Sequence, residues 1–228
     1  MRWPPWSSAT VKRRPTEPAG KHASASHRVR IVGGRWKRTP LTVPSTADLR
    51  PTPDRVRETL FNWLGQDLWG QRCLDAFAGT GALGLEAASR GAARVVMIER
   101  DRAALAAIRA AIERLGATQV ELVAGDALAE LHRRAAAGER FDLVFVDPPF
   151  GDEALLAEAM RRLPPLLAPD ALVYVESAAP WPVAAAASLA PWAQFRVVRA
   201  GRAGAVHYHL VVHEPDAGDG AAAKELQA

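Results

Sequence analysis

The residues with the clearest chemical potential form one tetrapeptide, Asp147-Pro148-Pro149-Phe150, which directly follows the apolar run 141–146. Two consecutive prolines fix the backbone and remove two N–H donors, so the segment presents carbonyl oxygens beside the carboxylate. An aryl or amide NH2 is a weak nucleophile because its lone pair is delocalised. Accepting its two hydrogens at Asp147 and at the Pro148 carbonyl would favour a pyramidal nitrogen, and Phe150 offers a ring on which a planar base can stack. The tetrapeptide therefore predicts chemistry at an exocyclic or amide nitrogen and leaves adenine, guanine and glutamine open as targets.

A glycine-rich segment precedes this tetrapeptide in the chain. Gly79, Gly81 and Gly84 have G-x-G-x-x-G spacing after the apolar run 73–77, and Glu99 follows the next apolar run. Glycines let the backbone approach a ligand closely, and a carboxylate at the end of the second strand can accept hydrogen bonds from both ribose hydroxyls of a nucleoside. The pattern predicts a nucleoside cofactor, but alone it does not separate nicotinamide dinucleotide from S-adenosylmethionine.

Two further acids favour S-adenosylmethionine. Asp75 lies four residues before Gly79, where it can approach a cationic ammonium group. Asp126 follows the third apolar run, where it can accept from an adenine amino group. A dinucleotide would leave both acids unexplained, because apolar residues are expected beside its diphosphate. The predicted cofactor is therefore S-adenosyl-L-methionine.

These residues must be brought together by the elements between them. Apolar runs predict strands, and the stretches between them predict helices at 82–90, 101–115, 127–137 and 153–163; the strands are expected at 73–77, 94–98, 120–123, 141–146 and 171–175. This alternation is typical of right-handed βαβ units, whose strands all end at the rim where ligands bind. Two more strands at 195–199 and 205–212, with a turn through Gly201 and Gly204, predict a C-terminal antiparallel hairpin. The expected fold is α/β with a mostly parallel seven-stranded sheet.

A small extension is predicted before this sheet. Alternating apolar residues across 28–43, interrupted by Gly33 and Gly34, indicate a two-stranded β element. A helix is expected to follow, with Thr52 as its N-cap and Pro53 in its first turn. The predicted organisation is a disordered basic leader at 1–27, the extension at 28–70, a catalytic domain at 71–213 and a disordered tail at 214–228.

The charge is concentrated at the beginning of the chain. Residues 1–72 contain 14 of the 29 Lys and Arg residues but only 5 of the 25 Asp and Glu residues. A basic arm is typical of a protein that meets a polyanion, although an Arg-rich coding bias would also produce it. The residues expected to contact a nucleic-acid substrate are Arg30, Arg35, Trp36, Lys37, Arg50 and Arg57.

Other features narrow the class of protein. Cys73 is the only cysteine, so no internal disulfide can form, which suits a reducing cytosol. No apolar stretch is long enough to span a bilayer, and the first residues do not resemble a secretory signal. His207, His209 and His213 alternate along one strand without cysteines or clustered acids, so we expect a solvated strand face there and no metal site.

Several of these segments together resemble the bacterial 16S ribosomal RNA guanine-N2 methyltransferases, the RsmD family. The resemblance covers about residues 28–213, and its segments are Arg30–Gly34 with Trp36, Arg50–Leu64, Leu74–Gly84, Asp147–Phe150 and Tyr174–Ser177. It implies a Rossmann-like class I S-adenosylmethionine-dependent methyltransferase that acts in the cytoplasm as a monomer. The implied substrate is one guanine of 16S rRNA, free or in a small ribosomal subunit.

The resemblance also implies roles for individual residues. Gly79 and Gly81 would contact the cofactor, Glu99 its ribose and Asp126 its adenine. Asp147 and Pro148 would hold the guanine amine and Phe150 its ring, while Arg50 and Thr52 would lie near the methionine end or the RNA. Two related activities, DNA adenine-N6 and protein glutamine-N5 methylation, remain alternatives, as does a non-catalytic RNA-binding module with the same fold.

Overall fold

The computed structural model describes residues 29–43, 52–181 and 191–214. Residues 1–27 and 215–228, in the predicted leader and tail, lie outside the described residues. The strands are β1 Val29–Arg30, β2 Pro40–Leu41, β3 Arg72–Asp75, β4 Arg94–Glu99, β5 Val120–Ala124, β6 Phe141–Val146, β7 Leu167–Ser177, β8 Phe195–Ala203 and β9 Val206–His213. The α-helices are α1 Asp54–Leu64, α2 Ala82–Ser89, α3 Arg102–Leu115, α4 Ala127–Ala136 and α5 Glu153–Arg162.

Seven strands form one mixed sheet in the order β5-β4-β3-β6-β7-β9-β8. The first five of these are parallel to one another, whereas β9 runs antiparallel to β7 and β8 antiparallel to β9. The predicted mostly parallel sheet with a C-terminal antiparallel hairpin is confirmed. None of the described helices combines the length and apolarity that a bilayer crossing requires.

Both faces of the sheet are covered, which explains the continuous apolar runs of its central strands. Leu74 and Val144 face a hydrophobic layer that includes residues of α4 and α5. Their neighbours Cys73 and Phe145 face the opposite layer, to which α1, α2 and α3 contribute. The predicted helices from residue 82 onward agree with the structure to within one residue at either end.

The N-terminal two-stranded element is present, with Val29 paired to Leu41 in antiparallel register. The corner between its two strands, at Gly33 and Gly34, packs against the C-terminal end of α2. The Arg35 N–H donates to the Ser89 carbonyl at 2.7 Å, and the Ser89 hydroxyl donates to the Gly33 carbonyl at 2.7 Å. The extension therefore packs onto the same layer as α1 and α2.

Trp36 does not have the exposed position that RNA stacking requires. Its side chain belongs to the hydrophobic layer with only 9% of the residue exposed, and the backbone N–H of Trp36 donates to the Ser89 hydroxyl at 2.9 Å. The docked corner turns the indole inward while Arg35 and Lys37 remain exposed. The prediction that Trp36 contacts the substrate is therefore wrong.

Two local predictions also need correction. Helix α1 begins at Asp54 with Pro53 as its N-cap, so Thr52 does not cap it. Strand β8 continues through Gly201, and only Gly204 lies in the turn. The absence of a Cβ at Gly201 lets the Tyr208 ring cover the strand, because an added Cβ would lie 2.3 Å from that ring.

We expect Gly34→Ala to destabilise the protein more than Gly138→Ala. Both glycines have positive φ, 69° and 72°, so alanine is strained at either position by about 1–2 kcal/mol. At Gly34 the added carbon would also lie 2.0 Å from the Ser89 carbonyl oxygen, whereas nothing lies within 4 Å at Gly138. The close contact should add about 1–3 kcal/mol to the loss in unfolding free energy, measured with urea. Equal losses in the two variants would contradict tight docking of the corner.

Candidate active site

Acidic residues collect at the rim where the parallel strands of the sheet end. Asp75 ends β3, Glu99 ends β4, Asp126 follows β5, Asp147 follows β6 and Glu176 lies near the end of β7. Ligands of open α/β sheets bind beyond these strand ends. A rim with this many carboxyl groups suits a ligand with positive charge and hydrogen-bond donors.

The glycine loop between β3 and α2 turns sharply and packs against the neighbouring strand β4. Gly79 has φ 54° and Gly81 has φ 77°, a region of backbone conformation that favours glycine. A Cβ at Gly81 would lie 3.0 Å from Met97 and 3.1 Å from Ile108, so the loop also packs closely on β4 and α3. The loop backbone is thus held at the rim, and no side chain projects from it at Gly79 or Gly81.

Glu99 is held by three backbone donors. Its Oε2 accepts from the Gly79 N–H at 2.7 Å, and its Oε1 accepts from the N–H groups of Arg100 and Asp101 at 2.8 and 2.7 Å. A carboxylate has about four acceptor positions. The remaining one, on Oε2, can take one ribose hydroxyl in this arrangement, where the sequence had suggested two.

Asp126 is the N-cap of α4. Its Oδ1 accepts from the Ala129 N–H at 2.9 Å, which fixes the carboxylate at the rim, and the residue is exposed. It is therefore accessible to the adenine amino group that the sequence analysis assigns to it.

Asp75 is almost completely enclosed, with 1% of the residue exposed. Its Oδ2 accepts from the Gly84 N–H at 2.9 Å, while its Oδ1 is buried without a hydrogen-bond partner among the described residues. Burial raises the pKa of this carboxyl to about 7; the Gly84 N–H opposes that rise and the charge of Glu99 adds to it. An unpartnered acceptor behind the glycine loop fits a cofactor that carries an ammonium group.

Thr52 joins the carboxyl groups of two neighbouring strands. Its hydroxyl lies 3.0 Å from Glu176 Oε1 and 3.3 Å from Asp147 Oδ2. The Tyr174 hydroxyl donates to the same Glu176 oxygen at 2.7 Å. The Thr52 hydroxyl is thus occupied by the carboxyl groups of Asp147 and Glu176 and does not cap α1.

The surroundings of these carboxyl groups favour their neutral forms. Burial is the main cause that raises the pKa of Asp147 well above its usual value, and the negative charges of Glu176 and Asp75 add to the rise. Burial likewise raises the pKa of Glu176, against the opposing hydrogen bonds from Tyr174 and Thr52. The two groups lie close enough to titrate together.

The Asp147–Phe150 tetrapeptide lines an open depression at the rim. Glu176 and Val206 contribute to its other walls, the latter from the beginning of β9. Pro148 is buried, whereas 51% of Phe150 is exposed. The depression can accept a planar group with its edge toward the carboxyl group of Asp147.

Arg30, Arg35 and Lys37, which the sequence analysis assigns to the substrate, are exposed on the N-terminal extension. The Arg30 Nε donates to Asp54 Oδ2 at 2.8 Å. Arg50, the fourth basic residue expected to contact the substrate, lies outside the described residues.

Arg57 has no exposed surface. Its guanidinium donates to the Thr52 and Arg30 carbonyls at 3.2 and 2.8 Å and forms ion pairs with Asp54 and Glu86 at 2.6 and 3.4 Å. A side chain enclosed in this way cannot reach RNA, so its prediction as a substrate contact is wrong. The apolar periodicity of α1 does not place Arg57 on the buried face of the helix, so the sequence pattern could not predict its burial.

The histidines of β9 are only partly solvated. His209 is 3% exposed, and its Nε2 accepts from the Trp181 N–H at 3.1 Å because the segment after β7 packs over this strand. Within the part of the chain that the structure describes, no three His, Cys, Asp or Glu side chains are grouped as metal ligands.

The residue that sequence reasoning missed is Glu176. The Tyr174–Ser177 segment contributes to the family resemblance, which assigns no role to its glutamate. One signal was available in the sequence. Tyr174 and Glu176 are two residues apart at the end of one predicted strand, so their side chains face the same side of the sheet.

A glycine loop against a buried acid, a fixed carboxylate at the second strand and a C-terminal antiparallel hairpin define a Rossmann-like S-adenosylmethionine-dependent methyltransferase. The solved structure of SMU.776, which contains S-adenosylhomocysteine, has this fold (TM-score 0.56). It is 15% identical and covers 69% of this chain and 48% of that one.

A family model described as Conserved hypothetical protein 95 matches residues 29–212, and the chain belongs to this family, the RsmD family of the sequence resemblance. Ribosomal RNA small subunit methyltransferase D of Escherichia coli K12 is 46% identical over 156 residues, which are 68% of this chain and 77% of that protein. The solved structure of yhhF from Escherichia coli has a TM-score of 0.69 and 41% identity, and the match covers 83% of this chain and 99% of that one.

We expect the burial of Asp75 to make stability depend on pH. Its pKa is raised from 3.8 to about 7, so the folded protein retains a proton that the unfolded chain releases at lower pH. Stability therefore falls as pH rises through this interval, with a slope of up to about 1.4 kcal/mol per pH unit.

Asp75→Asn keeps an acceptor for the Gly84 N–H and cannot ionise. The unfolding free energies of the two proteins, measured with urea at several pH values from 4 to 8 without ligand, should therefore diverge in favour of the variant as pH rises to about 7. Parallel pH profiles would contradict the assignment of a raised pKa to Asp75.

Proposed function

We propose that this protein methylates the exocyclic N2 of a guanine in small-subunit ribosomal RNA. The observation that carries the proposal is the open depression in which the Asp147 carboxylate, Pro148 and the exposed Phe150 ring lie together at the cofactor rim. A guanine edge carries the NH2 group that such a carboxylate can hold. The relatives named ribosomal RNA small subunit methyltransferase D support RNA as the substrate.

The rim residues offer contacts to each part of the cofactor. The Gly79–Gly81 backbone, Glu99 and Asp126 would hold the nucleoside, and the buried Asp75 behind the loop would favour the ammonium end. When bound, S-adenosylmethionine supplies an electrophilic methyl group on a sulfonium centre. The protein therefore needs chiefly to position the nucleophile.

The tetrapeptide performs that positioning. Asp147 and the Pro148 carbonyl accept the two hydrogens of the guanine amine, which directs the nitrogen lone pair away from the ring. Phe150 stacks on the base, an interaction worth about 1–3 kcal/mol in single-strand binders. Fixed acceptors in a partly enclosed site stabilise the positive charge that develops on the nitrogen.

The N-terminal extension gives the RNA backbone a basic surface. Arg30, Arg35, Lys37 and Arg38 are exposed on it, and the extension is anchored to the C-terminal end of α2. We further propose that the protein acts as a monomer in the cytoplasm, as the resemblance implies, on 16S rRNA or the small ribosomal subunit.

Asp147→Ala should abolish most methyl transfer from labelled S-adenosylmethionine to small-subunit RNA. We expect a loss of about 10²–10³-fold in kcat, because one fixed group that stabilises the reacting nitrogen is removed. Binding of S-adenosylhomocysteine, measured by calorimetry, should persist. Glu99→Ala is the reciprocal control, since it should weaken cofactor binding. Label appearing in DNA or protein, and absent from rRNA, would contradict the proposed substrate.

Replacing Arg30, Arg35, Lys37 and Arg38 by Gln should weaken RNA binding and flatten its dependence on salt. For every phosphate that the variant no longer neutralises, the slope of log K against log salt should decrease by about 0.7–0.9. A matched variant replaces Arg133, Arg140, Arg161 and Arg162, which lie in or beside the helices of the other layer. If both variants change the slope equally, or neither does, the extension is not the RNA-binding surface.

A further inference from the structure

Thr52 lies where one hydroxyl proton must serve two carboxyl groups. Its Oγ1 is 3.0 Å from Glu176 Oε1 and 3.3 Å from Asp147 Oδ2, and a threonine hydroxyl can donate to only one of them at a time. If both carboxyl groups were ionised, one of them would lack a donor from Thr52. The geometry therefore couples the hydrogen bond of Asp147 to the state of Glu176.

The groups packed around this pair do not neutralise two negative charges. On β3, Asp75 adds a further carboxyl, and on α1 the buried Arg57 donates to the Thr52 carbonyl, with its ion pairs directed to Asp54 and Glu86. On β7 and β9 the neighbouring titratable side chains are the phenols of Tyr174 and Tyr208. Two adjacent carboxylates in such surroundings cannot both ionise without a large penalty, so one of them retains a proton.

We propose that Asp147, Thr52 and Glu176 share one proton, which Glu176 holds while the substrate amine binds. Glu176 is thereby a positioning residue that keeps Asp147 ionised. This inference deepens the proposed function and rests on it for the role of Asp147.

The hydrogen bonds of this arrangement form a continuous chain. The protonated Glu176 Oε1 donates to Thr52 Oγ1, the Thr52 hydroxyl then donates to Asp147 Oδ2, and Tyr174 continues to donate to Glu176 Oε1 at 2.7 Å. The other oxygen of Asp147 remains available for the amine. If Glu176 were ionised instead, Thr52 would turn toward it and Asp147 would lose this donor.

Burial supports the assignment of the proton to Glu176. Both residues line the depression, but Glu176 is only 7% exposed, whereas Asp147 is half-buried. The raised pKa values of both carboxyl groups agree with one retained proton in the pair. The rise is larger at Asp147, where the negative charge of Glu176 adds to it, so the exposure of the two groups, and not their pKa values, assigns the proton to Glu176. Water and substrate reach Asp147 more easily, which favours the charge there.

Glu176→Gln is the critical variant. A glutamine amide is neutral like a protonated glutamate. Its NH2 group at the position of Oε1 can donate one N–H to Thr52 Oγ1 and the other to the Tyr174 hydroxyl oxygen. We expect Glu176→Ala to lower kcat by about 10²-fold, because the reacting groups are misplaced. The Glu176→Gln variant should keep most of the wild-type kcat. Likewise, Thr52→Ser, which keeps the hydroxyl, should retain most of the kcat, whereas Thr52→Val, which lacks it, should lose it. Unfolding in urea checks that each variant is folded.

Infrared difference spectra test the proton directly and need no substrate. Wild type minus Glu176→Gln should show the carbonyl band of a protonated carboxylic acid at neutral pH, while the Asp75 contribution cancels. The proposal is overturned if Glu176→Gln is as inactive as Glu176→Ala, or if the variant retains the whole of this band. Failure of rRNA methylation by the wild type, with the band present, would instead count against the proposed function alone.

Discussion

The buried guanidinium of Arg57 is the interaction on which the arrangement of the site depends. An arginine without exposed surface is tolerated only because its N–H groups meet two carbonyl oxygens and two carboxylates. Desolvation lowers its pKa, against the charges of Glu86 and Asp54. These bonds tie the N-terminal extension, Thr52, the start of α1 and helix α2 together. The same guanidinium holds the backbone of Thr52, whose hydroxyl lies at the Asp147–Glu176 pair. The proposed RNA-binding extension and the proposed catalytic rim therefore share one anchor.

The carboxyl groups at the rim destabilise the folded protein. Asp75, Asp147 and Glu176 lie close together with raised pKa values, and Asp75 has a buried oxygen without a partner among the described residues. Such a site stores unfavourable electrostatics that a cationic cofactor and an amine substrate can relieve on binding. Covering both faces of the sheet with apolar layers provides the stability that offsets it.

The sequence predicted most of the fold because its signals were local. Apolar runs and their spacing located the strands and helices from residue 72 onward, and glycine spacing located the cofactor loop. The errors concern residues whose surroundings come from distant parts of the chain. Trp36 and Arg57 read as exposed by their neighbours in sequence, but docking on α2 buries both. By its residue type and position Thr52 is a good N-cap candidate. Its hydroxyl instead contacts Glu176, which is 124 residues away in the sequence. No periodicity reports such contacts.

The central claim is that the Asp147 site delivers a methyl group to the exocyclic nitrogen of a guanine. It is tested most directly by digesting enzymatically methylated small-subunit RNA to nucleosides and identifying the labelled product by mass spectrometry. The account predicts N2-methylguanosine as the labelled nucleoside. Label in N6-methyladenosine, or in a ring-nitrogen or ribose methylation product, would contradict it.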